Sequence, residues 1–181
     1  MKKFFKSVLL VTVAAMLLLS AACGKKPAGN TVKGPEGPLP DVIEKIYTKK
    51  DMGEIALATI TQDMMDFTDP EVLKMYTGTD DTSAIKEIAV SEAMVGAIPY
   101  SLVLARVNDE SKATEIAQTM FDNIDTRKWL CVEADDLKVA VCGDTVMLIM
   151  IGSQYAETAT SQEIVDAFES VCGGSLTTVI E

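Results

Sequence analysis

Four cysteines and 27 acidic side chains, with no histidine anywhere, set the range of chemistry open to this chain of 181 residues. Without imidazole, the commonest general base and the commonest metal ligand are both missing. Histidine-based zinc sites, Ser-His-Asp triads and Cys-His dyads are excluded. Cys131, Cys142 and Cys172 are odd in number, widely spaced and free of any Cys-x-x-Cys pair. At most two can bridge, and their apolar sequence neighbours make packed thiols the expectation. Carboxylate chemistry remains. A cell-envelope hydrolase could use an Asp/Glu pair held about 5–10 Å apart in a cleft, but no spacing in the sequence singles out such a pair. The acidic residues around Thr68-Asp69-Pro70-Glu71 do not follow EF-hand spacing and are expected to cap a helix. No catalytic, cofactor-binding or metal-binding residue is assigned.

Three further side chains merit placing. Trp129, the only Trp, lies in Arg127-Lys128-Trp129-Leu130. It could stack on a sugar, but core or rim packing is expected for a lone aromatic beside Leu130. Glu92 and Arg106 fall within expected strands and read as solvent-face charges, with a buried pair as the alternative.

Cys23 differs from the other cysteines because of what precedes it. Lys2, Lys3 and Lys6 form a positive segment, Val8 to Leu19 an uncharged apolar run, and Ser20-Ala21-Ala22 a small-residue approach to Cys23. That order is an export signal, and the apolar run is shorter than the roughly 20 residues a spanning helix needs. Ser-Ala-Ala-Cys resembles a lipobox, the signal for bacterial lipoprotein processing, although Ser20 stands where Leu is usual. The resemblance implies a signal peptide over 1–22 and a diacylglyceryl group on the Cys23 thiol, two acyl chains being enough for stable anchoring. Residues 23–40, rich in Pro and Gly, then form a semi-extended tether, and 41–181 a single domain. Losing three of the 16 basic residues with the signal leaves 13 against 27 acidic ones, a net charge of −14. Nucleic acid and anionic surfaces reward positive patches, so no nucleic-acid partner is expected.

The elements that would position any site follow from periodicity. Asp41 is a candidate N-cap for a helix with Val42, Ile43, Ile46 and Tyr47 on one side, and Glu54–Phe67 is expected to be a second helix. Asp69 and Pro70 open a third helix that Gly78 ends. Ile85–Glu92 and Tyr100–Val107 read as strands, and Asn108 as the cap of a helix with Ala113, Ile116, Ala117, Met120 and Ile124 on its inner stripe. Leu137–Cys142 and Thr145–Ile151 flank Gly143-Asp144 as a hairpin. Val146–Ile151 is apolar on both faces, so something must cover both sides unless one is a docking surface. Thr160 and Glu163 have capping-box spacing before the last helix. The sum is a two-layer α+β domain after an N-terminal helical segment: an antiparallel sheet of about four strands, with both later amphipathic helices on one face.

Three segments together resemble a family of uncharacterised domains carried on lipoproteins of Gram-positive anaerobes. They are Asp69 to Asp80, Tyr100–Val107 with the helix from Asp109, and the Gly143-Asp144 hairpin with the helix from Ser161, spanning about residues 40–175. The family's long helix runs further than the one here after Asn123. The resemblance implies location and fold, and brings no activity or catalytic residue. The functional expectation is thus a lipoprotein of the outer, extracytoplasmic face of the cell membrane, anchored through Cys23. Its domain is expected to be a non-catalytic binding or interaction module for a protein or cell-wall partner, using no cofactor; the alternative is the carboxylate hydrolase. A two-lobed solute receptor would need far more chain.

Overall fold

The computed structural model describes residues 33–181, which fold as one compact unit. It is an α+β domain whose six strands form one open antiparallel sheet in the order β1-β2-β3-β5-β4-β6. The strands are β1 (Leu57–Thr61), β2 (Ile85–Ala93), β3 (Tyr100–Val107), β4 (Asp136–Cys142), β5 (Thr145–Ile151) and β6 (Thr178–Ile180). Four helices accompany them: α1 (Leu39–Lys49), α2 (Pro70–Thr77), α3 (Ala113–Asn123) and α4 (Ser161–Cys172).

β5 is the centre of the fold. All seven of its residues are buried, and they divide strictly by parity. Met147, Ile149 and Ile151 join Tyr100, Leu102 and Leu104 of β3 under α1 and α4. Val146, Leu148 and Met150 join Val103, Val139 and Val141 under α2 and α3. Both faces of the sheet are therefore covered, as successive side chains on a strand must alternate between them.

The later helices α3 and α4 lie on opposite faces rather than sharing one. Strand order explains this. β3 and β4 run parallel on either side of β5, and β5 and β6 run parallel on either side of β4. Each helix is thus a crossover that skips one strand in the same direction across the sheet, from starting strands that point oppositely. Crossovers of one hand, as the right-handed preference demands, then place their helices on opposite sides.

The expected helix over Glu54–Phe67 is instead β1 and a series of turns. Leu57 packs towards the α1 side and Ile60 towards the α2 side, which suits a strand and would not suit one stripe of a helix. β6, in the Thr-rich tail, extends the sheet past β4. The third helix and the hairpin have the expected stops: Gly78 ends α2 at φ 78° and Gly143 turns the hairpin at φ 57°. Asp69 accepts from the Glu71 N–H at 2.9 Å, so this acidic stretch does cap α2. Thr160 and Glu163 form the reciprocal capping box of α4. Asp109, rather than Asn108, opens the turn leading into α3 by accepting from Ser111 N–H.

α1 starts two residues before Asp41, with Pro38 at its N-cap and no side-chain cap from its own sequence. Its first N–H, on Leu39, is met by Glu87 Oε1 of β2 at 2.8 Å. A carboxylate thus sits at the positive end of the helix.

Candidate functional site

Arg106 gathers a cluster at one end of the sheet. Its guanidinium meets Glu87 Oε2 at 2.5 Å and Asp144 Oδ2 at 3.6 Å. It also donates to the carbonyls of Pro35 at 3.0 Å and Gly37 at 3.1 Å. Only 14% of its side chain is exposed. Residues 33–38, expected to be the end of a loose tether, are therefore a strap held against β3 and the β4–β5 hairpin. Gly34 is buried there, and a Cβ on it would lie 2.2 Å from Asp144 Oδ1. Arg106 is thus no solvent-face charge. Glu87 and Asp144 are carboxylates that converge, but one guanidinium holds both.

Glu92 has its own partner, at the opposite end of β3. The Lys128 ammonium is the ion-pair partner of Glu92 Oε1, an oxygen buried with no other partner among the described residues. The ammonium also donates to Ser101 Oγ at 3.1 Å and stands 4.6 Å from the Tyr76 ring centroid and 5.4 Å from that of Trp129. Burial holds the Lys128 pKa below its ordinary value, although Glu92 pulls the other way. A lysine beside a serine hydroxyl is the geometry of an activated nucleophile. Here Ser101 is fully buried and the ammonium is tied to Glu92, so the hydroxyl presents nothing to a substrate. Trp129 packs half-buried against the α2–α3 face, as expected of rim packing. Leu130 beside it is 97% exposed.

A third polar cluster lies within the other core. Tyr47 Oη donates to Ser91 Oγ at 2.8 Å and meets Tyr100 Oη at 2.9 Å. Burial pushes the Tyr47 pKa up to about 12 and that of the fully buried Tyr100 well above its usual value.

The thiols do not behave alike. Cys142, ending β4, is buried; Cys172, ending α4, is half-buried; Cys131 is exposed on the loop after α3, contrary to the packed thiol expected there. Cys142 and Cys172 belong to one core cluster, and the Cys142 thiol donates to the Lys33 carbonyl at 3.8 Å. The influence of the Cys172 thiol lowers the pKa of Cys142, and that of the Cys142 thiol, with burial, raises the pKa of Cys172. Cys23 lies outside the described residues.

A groove of about 380 Å³ runs between the α2–β2 loop and the start of α3, lined by Thr79, Asp81, Ser83, Asn108, Asp109 and Lys112 among others. Asp81 Oδ1 accepts from the Ser83 N–H and hydroxyl, and Asp109 Oδ1 from those of Ser111. These bonds hold both carboxyls below the usual carboxylate range, so the groove is negative at neutral pH. Among the described residues no three His, Cys, Asp or Glu side chains are grouped to hold a metal ion. No helix among them is long and apolar enough to cross a membrane. Comparison with family models, curated proteins and solved structures gave no match, so the functional reading rests on the residues themselves.

Proposed function

We propose that this chain is an exported lipoprotein, held by a lipid on Cys23 at the outer face of the cell membrane, whose folded part is a non-catalytic binding or interaction module. The observation that carries the reading is the order along the chain. A basic, then apolar, then small-residue leader ends at Cys23, and the described folded domain follows it in the chain. The resemblance over residues 40–175 to lipoprotein-borne domains supports the same location. The module reading is supported by where the polar groups are used: Arg106, Lys128, Glu87 and Glu92 are consumed in structural pairs, while the negative groove beside Asp81 and Asp109 stays open to solvent. A partner seated there carries positive charge, on a protein or on a cell-wall component.

Metabolic labelling with a fatty acid tests the anchor. Wild type is expected to be labelled and membrane-bound, and Cys23→Ser to be unlabelled and released to the medium. An unlabelled wild type, or label retained by Cys23→Ser, overturns the reading.

A further inference from the structure

β1 is one edge of the sheet and pairs only with β2. Its alternation is fixed by the Met94 N–H, which donates to the Ala56 carbonyl at 2.9 Å. With Leu57 opposite Ala93, the residues bonded to β2 are then Ala56, Ala58 and Ile60. Leu57, Thr59 and Thr61 turn their N–H and C=O groups the other way. The Thr61 carbonyl accepts from the N–H groups of Met64 and Met65 at 3.0 and 3.1 Å. The N–H groups of all three and the carbonyls of Leu57 and Thr59 have no partner among the described residues, and every residue of β1 is half-exposed. Sheet edges are normally blunted by Lys, Pro, a bulge or extreme shortness. β6, at the other edge, has three residues. β1 has five, in unbroken register, and Ile55 to Gln62 contains neither charge nor proline. Apolar side chains flank it: Met94 and Val95 follow β2 beside Ala56, and Met64 follows Thr61, each more than half exposed.

The charges at the two ends of β1 have one sign. Asp51 and Glu54 precede it, Asp63 and Asp66 follow it, and all four are exposed. No basic residue lies between Lys50 and Lys74, and those two pair with Glu163 and Asp80 instead. A second copy of the chain would fit the hydrogen bonds but not the charges. Two β1 strands paired antiparallel about Thr59 set Glu54 of one beside Asp63 of the other at each end, and like charges so placed repel. We propose that β1 receives an extended polypeptide segment of another protein, uncharged along its middle and carrying Lys or Arg at both ends, which joins the sheet as a further strand. Backbone bonds to Leu57, Thr59 and Thr61 supply the hold, and the acidic ends select the partner. This edge shares no residue with the groove beside Asp81 and Asp109, and it stands whether or not that groove is used.

The full chain carrying Cys23→Ser is titrated with a blocked peptide of alternating Val and Thr ended by Lys pairs, and with the same peptide ended by Glu pairs. Amide hydrogen exchange reads the site. In the protein alone the Leu57, Thr59 and Thr61 amides should exchange faster than those of Ala58 and Ile60, and the Lys-ended peptide should slow them. Thr59→Pro leaves the ladder to β2 intact, since the Thr59 N–H faces outward, and should weaken binding at least about tenfold. Glu54→Gln with Asp63→Asn, both exposed, should weaken it several-fold and flatten its salt dependence, which keeps the test decisive if Thr59→Pro does not fold. Failure of the Lys-ended peptide to slow the three amides at millimolar concentration overturns the proposal. Equal binding of the Glu-ended peptide, or unchanged binding by either folded variant, does the same. So does protection of the three amides in the monomeric protein alone, because the edge is then already covered. A concentration-dependent dimer that protects those amides makes the occupant a second copy and also overturns it.

Discussion

Lys128 carries an ammonium into a site lined by Tyr76, Trp129 and Ser101, and Glu92 is what makes that tolerable. Removing one member of a buried pair leaves the other without compensation, whereas replacing both by apolar groups of similar shape removes the desolvation cost together with the attraction. Lys128→Met is therefore expected to destabilise the domain by about 3 kcal/mol in urea unfolding, and Lys128→Met with Glu92→Leu to recover most of that loss. The phenols of Tyr47 and Tyr100 make a different kind of prediction. Both pKa values are raised, that of Tyr47 to about 12, so the folded chain keeps these protons at pH values where the unfolded chain has released them. The stability they contribute is complete below the unfolded value near 10 and is lost as pH rises from there through about 12. Tm measured across that window should fall, and Tyr47→Phe should make the fall shallower. A variant as steep as the wild type would remove Tyr47 from the explanation.

At the scale of elements, β5 turns the sheet into a test of coverage. Ile149 is fully buried beneath α1 and α4. Ile149→Lys should accordingly cost several kcal/mol and abolish the cooperative thermal transition seen by circular dichroism. A folded Ile149→Lys protein would mean that this face is open. The buried character of β5 was legible because Val146–Ile151 has no polar residue, and the capping box was legible because Thr160 and Glu163 are three apart. What escaped was anything fixed by partners distant in sequence. The stripe of α3 shows which side of the helix is buried but not which face of the sheet receives it; that depends on β5 lying between β3 and β4. Leu57, Ile60 and Met64 have helical spacing, yet pairing with β2 makes Leu57–Thr61 a strand, and Met64 is 67% exposed. Arg106 and Glu92 were misplaced for the same reason, since their partners arrive from the strap and from the loop after α3. The acidic groove has no sequence signature either: Asp81 and Asp109 are brought together by the neighbouring ends of β2 and β3.

For the folded unit as a whole, the strap of residues 33–38 is its amino end and is held down by Arg106. Arg106→Met removes the donor to the Pro35 and Gly37 carbonyls. Cleavage by trypsin after Lys33 should then be at least several-fold faster than in the wild type. Equal cleavage rates would show that Arg106 does not hold the strap. The clamp also has a mechanical meaning. A domain restrained by its amino end takes any drag as tension on Lys33, and that load reaches the Arg106 contacts before it reaches α1 or the sheet. Lys33–Pro38 can reach at most about 20 Å once those contacts part, so the length released is less than that. Pulled from its amino end in an optical trap, the protein should therefore lengthen in a small, reversible low-force step before the sheet ruptures, a shock absorber in series with the anchor proposed at Cys23, and Arg106→Met should erase that step.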